Sequence, residues 1–199
     1  MYTIETHAFV DIVSDGIPYK DGKNNVLNTI HNMDDAFGTF WKYFKNSKFA
    51  KNTIIIFTSD HAHYFGKEYI TTLKKHNDKQ YYPIFIDKVP LLIYAPNIKL
   101  PKEYDAKQST SIDLAPTILH LLQIKNEKNA FVGSSLFEQD KEHLGIASYG
   151  RNLYMLKENN IFMPQNIRDK DKETFNLMEK YIKYTHKLEK TNKVFPKKN

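Results

Sequence analysis

No cysteine occurs in this chain, which excludes disulfides and thiolate metal sites alike. The absence does not choose a compartment, because a chain without thiols is at home in either redox environment. No apolar run approaches the roughly 20 residues that span a bilayer. The N-terminal MYTIETHAFV lacks the basic and apolar regions of a signal peptide. Internal repeats, low-complexity tracts and basic patches interleaved with aromatics are also missing, so nothing points to nucleic acid. The net charge of +6 looks contrary until it is located. Residues 165–199 hold ten Lys and Arg against five Asp and Glu, whereas residues 1–164 hold 19 against 18. The basicity is thus a property of the tail. It reads either as a solvated helix or as a surface that meets anionic lipid or polymer.

What is present is a chain of 199 residues with 13 Tyr and 13 Phe, enough for one domain with a real core or for part of a larger one. Tyr2–Thr6 alternates as a short strand that ends at His7, and a polar loop follows. Within Val26–Asn46, Ile30, Met33, Phe37, Phe40, Trp41 and Phe44 recur at three- and four-residue steps, the stripe of an amphipathic helix. Asn52–Ser59 reads as a strand covered on both faces, and Val89–Tyr94 as another buried strand whose start, at Pro90, lies at an edge or strand entry. Between them, Ala62–Lys88 has no clean period, and a connection this long carries function or short elements of its own. Ser111–Leu122 predicts a helix with Asp113 at its N-cap and Pro116 tolerated in its first turn. His143–Tyr149 and Arg151–Lys157 read as strands, with Glu158–Asn160 as a turn, and Thr174–Leu188 as a final helix.

The chemistry concentrates in IIIFTSDHAHYF, Ile54–Phe65. A buried strand holds the residues at its end rigidly, and this one delivers an acid and an imidazole together. Asp60 and His61 supply one oxygen and one nitrogen donor, suited to zinc or manganese. The alternative is that Asp60 caps a turn and His61 fills a polar niche. His63 and, less pointedly, His76 lie on the polar loop beyond.

The run NTIIIFTSDH resembles the strand and Asp-His signature of the sulfatase and alkaline phosphatase superfamily. KVPLLIYAPNIKLP, STSIDLAPTILHLLQI and VGSSLF resemble the segments that follow it there, and THAFV resembles a His-centred segment upstream. Within the superfamily the chain resembles the lipoteichoic acid synthase-like phosphoglycerol transferases and other bacterial membrane-anchored sulfatase-domain proteins. The resemblance implies an α/β fold with a mixed, largely parallel central sheet flanked by helices, incomplete at the N-terminal side. It implies a sulfatase-like portion over residues 1–164 and a basic helix and tail over residues 165–199.

The resemblance also implies roles. Asp60 and His61 fall on two ligands of a divalent metal ion, manganese or zinc. His7 falls on a histidine that contacts the substrate's phosphate or head group. His63 is not carried by the motif; it is a second candidate for the substrate or simply faces solvent. Thr117 lies within a helix, away from the family's nucleophile position. The Gly usual after Asp-His is replaced by Ala62, which implies an ordinary backbone there or a slightly different loop. The family's Thr or Ser nucleophile is expected upstream, so no catalytic residue is assigned in this chain. The implied enzyme transfers or hydrolyses phosphoryl or sulfuryl esters of lipid head groups or cell-envelope glycans, by nucleophilic attack and a covalent intermediate. It would act outside the cytoplasm, in a membrane-anchored parent protein. The other readings are a catalytically inactive fragment or pseudoenzyme, and a basic module for anionic surfaces. An incomplete sheet would further expose an edge through which the chain self-associates.

Overall fold

A computed structural model describes residues 16–62, 67–74, 88–106, 108–125, 128–138, 143, 145–149, 152–158 and 160–196. The chain divides into two compact units, Met1–Lys99 and Leu100–Asn199.

In the first unit, helix α1 spans Asn25–Lys45. Asn24 caps it, its side-chain oxygen accepting the Leu27 amide at 3.0 Å, and Lys42 and Lys45 complement the dipole at the last turn. Strand β1 (Ile55–Thr58) and strand β2 (Leu91–Tyr94) pair with Ile55 opposite Tyr94 and Phe57 opposite Leu92. Opposite residues share a face, so Ile55, Phe57 and Tyr94 lie on one side. The α1 stripe packs there: the Phe37 ring sits 4.8 Å from Phe57, and Trp41 meets Tyr94 edge-on at 5.1 Å. The Tyr94 hydroxyl donates to the Ala50 carbonyl at 3.0 Å, tying the strand to the turn after α1. A short helix α2, Lys67–Lys74, lies inside the long connection. Thr72 on it accepts the Asn24 side-chain amide at 2.9 Å.

Two expectations are not met among the described residues. The β1–β2 pair is antiparallel, as is every other pair among the described residues, so the largely parallel sheet has no counterpart among them. The strands are also not covered on both faces. Ile55, Ile56 and Phe57 are half-buried, and Leu91 and Leu92 are exposed. An apolar run records that a strand packs on something. It does not record the direction of its neighbour or how many faces are covered.

The second unit opens with a 3₁₀ turn, Ser111–Asp113, leading into helix α3, Leu114–Leu121. An antiparallel meander follows: β3 (Gly145–Tyr149), β4 (Asn152–Lys157) and β5 (Asn160–Phe162), in that order. The third strand replaces part of the expected turn. Glu158 takes a φ of 52° and turns the chain back at once, so pairing resumes at Asn160. Helix α4, Lys172–Lys190, covers this sheet. Ile146, Leu153, Met155 and Phe162 from the strands form one buried cluster with Phe175 and Met178 from α4. The basic segment that the sequence sets apart therefore contributes to a core. No helix of the described residues is long and apolar enough to cross a membrane.

Candidate functional site

The candidate site is the turn that leaves β1. Phe57 anchors the strand on α1, Thr58 is its last paired residue, and Ser59-Asp60-His61-Ala62 follows. This turn is closed by its own polar groups. The Ser59 hydroxyl donates to the His61 carbonyl at 2.6 Å, and the His61 amide donates to Asp60 Oδ1 at 3.0 Å. The second contact joins the Asp60 side chain to the amide of the very next residue, a local side-chain-to-backbone bond.

These bonds set the two candidate ligands side by side. His61 Nδ1 lies 2.7 Å from the Ala62 carbonyl oxygen. A carbonyl only accepts, so Nδ1 carries a proton, and in the neutral tautomer the lone pair is at Nε2. Nε2 lies 3.8 Å from Asp60 Oδ2. Two ligands about 2.1 Å from a tetrahedral ion would stand about 3.4 Å apart, so the pair needs only a small adjustment to share one ion. A metal-binding imidazole normally has its other nitrogen held by a carbonyl or carboxylate, and Ala62 supplies that contact. The donor set thus fits a divalent ion as two of its ligands. Among the described residues no group of three or more His, Asp or Glu side chains gathers around an ion position. Ala62 is not among the residues with left-handed φ, in agreement with the ordinary backbone expected where the family has Gly. His7, His63 and His76 lie outside the described residues.

Asp113 and Thr117 occupy a different place. Asp113 precedes α3 but does not cap its amides. Its carboxylate accepts the Thr110 amide at 3.0 Å and the Ser134 amide at 2.8 Å, and His143 Nδ1 stands 3.4 Å away. Thr117 is fully buried; its hydroxyl donates to the Asp113 carbonyl at 2.7 Å and accepts the Leu136 amide at 3.0 Å. With both roles taken and no solvent access, Thr117 is a structural residue. His120 is exposed, with its ring 5.8 Å from Phe137. A shallow groove lined by Lys42, Tyr43, Asn46, Ser47, Lys48 and Phe49 contains neither Asp60 nor His61.

The supporting contacts of Ser59 and the Ala62 carbonyl were not visible in the sequence. A serine beside Asp-His is common, and a backbone carbonyl leaves no mark in the residue types.

Comparison with known proteins bears on the family. Residues 3–124 match the protein-family model described as Sulfatase. The chain is 28% identical over 129 residues to lipoteichoic acid synthase 2 of Bacillus subtilis (strain 168), covering 63% of this chain and 19% of that protein. It is 24% identical over 154 residues to the lipoteichoic acid synthase-like protein YvgJ of the same organism, covering 70% and 24%. A protein named Sulfatase from Formosa agariphila is 30% identical over 130 residues, covering 63% and 24%. The matched part spans about a fifth to a quarter of each of these curated relatives. With the family model matched over more than half of its length, this chain belongs to the sulfatase family.

Proposed function

We propose that this chain supplies two ligands, Asp60 and His61, to the divalent metal of a sulfatase-family enzyme. That enzyme transfers or hydrolyses phosphoryl or sulfuryl esters of lipid head groups or cell-envelope glycans. Its place of action is the extracytoplasmic face of a bacterial membrane, and His7 and His63 contact the substrate. The lipoteichoic acid synthase relatives favour a phosphoryl ester of a lipid head group. The observation that carries the reading is the turn after β1. There Asp60 Oδ2 and His61 Nε2 face one another at 3.8 Å, and the Ala62 carbonyl holds the imidazole from behind.

A manganese or zinc ion held there would polarise an ester oxygen and lower the pKa of an attacking hydroxyl. The residues of this chain prepare for it in three ways. Asp60 contributes a negative oxygen beside the position. His61, turned by the Ala62 carbonyl, contributes the Nε2 lone pair of its neutral tautomer. The β1 ladder and the Phe37–Phe57 contact hold the turn in place, so less order has to be created on binding.

Calorimetric titration of manganese and zinc into the purified chain, beside an Asp60→Ala, His61→Ala double variant, tests the reading. Saturable binding by the wild type that disappears in the variant is the expected result. A folded wild type without affinity for either ion would overturn it and leave the inactive-scaffold reading.

A further inference from the structure

Helix α4 carries two apolar faces where a helix that only closes a core needs one. The first is Phe175, Met178 and Ile182, packed against the β3–β5 sheet. The second consists of Leu177, Tyr181, Tyr184 and Leu188. At about 100° per residue these four fall within a stripe about 60° wide, turned roughly a right angle or more from the first. Leu177, Tyr181 and Tyr184 are 53%, 50% and 57% exposed. Beside this stripe, on the side away from the core, lie Lys180 and Lys187, with Lys183 and Lys190 beyond them. Lys183 is paired with Glu179 at 3.0 Å. Lys180, Lys187 and Lys190 have no carboxylate within ion-pair distance among the described residues.

We propose that this face of α4 is a peripheral docking surface for an anionic lipid bilayer. The pattern of Leu and Tyr bordered by lysines is that of a helix lying in the interfacial plane. Tyrosine favours the headgroup level, where its ring is buried and its hydroxyl stays wet. Lysine stems lie along apolar surface while their ammonium groups reach the lipid phosphates.

Charge and composition together select this occupant. A soluble polyanion would be held by the lysines alone and would gain little from three exposed apolar side chains beside them. A second copy docked antiparallel, through a two-fold axis across the helix, would set Lys180 and Lys187 beside the same two lysines of its partner, a like-charge juxtaposition. A bilayer surface takes up the apolar stripe and neutralises the lysines at the same time. The inference stands apart from the metal site, since it uses no residue of the turn after β1.

The test is flotation of the full chain with vesicles of phosphatidylcholine containing phosphatidylglycerol, beside pure phosphatidylcholine vesicles. Binding only to the anionic vesicles is expected. Lys180→Gln with Lys187→Gln weakens it and flattens its dependence on salt. Tyr181→Ser with Tyr184→Ser weakens it by about tenfold or more. Both pairs are solvent-exposed, and circular dichroism confirms that each variant keeps its fold. The proposal is overturned if the wild type binds neither vesicle, or if the tyrosine variant binds anionic vesicles and soluble polyphosphate as well as the wild type does. It is equally overturned if the chain is a dimer in solution that the tyrosine variant dissociates, because a second copy would then own the face.

Discussion

The Asp113 carboxylate accepts the backbone amide of Ser134 at 2.8 Å across twenty-one residues of sequence. With the Thr110 amide bound to its other oxygen, this one buried side chain joins the turn before α3 to the loop that follows the helix. Asp113→Ala would leave two amide donors without their charged acceptor, and hydrogen bonds to charged groups contribute about 1.5–3 kcal/mol each. The expected loss is about 3 kcal/mol, read from the midpoint and slope of urea unfolding. A loss below about 1 kcal/mol would show that water or His143 takes over the role. Gly133 belongs to the same junction. A Cβ there would overlap the Ile112 carbonyl and stand 2.7 Å from Asp113 Oδ1, so Gly133→Ala is expected to destabilise in the same assay.

Thr117 extends this junction by one helical turn. Thr117→Val keeps the volume but removes the acceptor of the buried Leu136 amide, and stranding such a donor costs about 1–3 kcal/mol. Thr117→Ser keeps both hydrogen bonds and loses one methyl group, which costs about 0.8 kcal/mol. The expected order of stability is therefore wild type, Ser, then Val. A valine variant as stable as the serine variant would mean that the Leu136 amide finds water instead.

The helices were legible because their signal is local. The α1 stripe from Ile30 to Phe44 sits within one element, and the observed ends at Asn25 and Lys45 differ from the expected ones by a single residue. The α3 and α4 segments were legible for the same reason. The strands were legible as apolar runs, but their pairing was not. Whether Ile55 meets Tyr94 antiparallel depends on the path of the 32 residues between β1 and β2, and side-chain hydrophobicity does not record that path. The three-residue β5 was too short to show a period. At the site, Asp60 and His61 stood out by their type and by the strand before them. Their mutual geometry did not, because it rests on the Ala62 carbonyl and the Ser59 hydroxyl. Asp171 was invisible as a buried anchor, since its partner Lys157 lies 14 residues away on β4.

That anchor makes the second unit sensitive to acid. The Lys157 ammonium, bonded to Asp171 Oδ1 at 2.8 Å, holds the Asp171 carboxyl below its ordinary range; Arg168 adds to the effect and burial opposes it. The Glu158 carboxyl is lowered in turn by Arg168, bonded at 2.9 Å. A depressed carboxyl stabilises the fold fully above the unfolded aspartate value of about 3.9, and the contribution is lost as pH falls through the lower folded value. Asp171→Asn should therefore be less stable than wild type near neutrality, and the gap should close as the pH falls below about 4. Unfolding midpoints across that range provide the measurement. A gap that stays constant in acid would show that packing, not charge, carries the role of Asp171.

Packing reaches the candidate site through β1. Asp60 and His61 follow directly on β1, and β1 is seated on α1 through the Phe37–Phe57 contact at 4.8 Å. Phe57 is half-buried, so Phe57→Ala should cost about 2 kcal/mol, less than a fully buried phenylalanine would. Loosening the strand lets the two candidate ligands wander, and ordering them again must be drawn from the binding energy. At temperatures where the variant remains folded, manganese affinity should therefore fall severalfold, with no ligand altered. The Asp60→Ala, His61→Ala variant should lose it entirely. Calorimetry on both separates the two effects. Unchanged affinity in Phe57→Ala would mean that the bonds of Ser59, Asp60 and Ala62 order the turn without help from the strand.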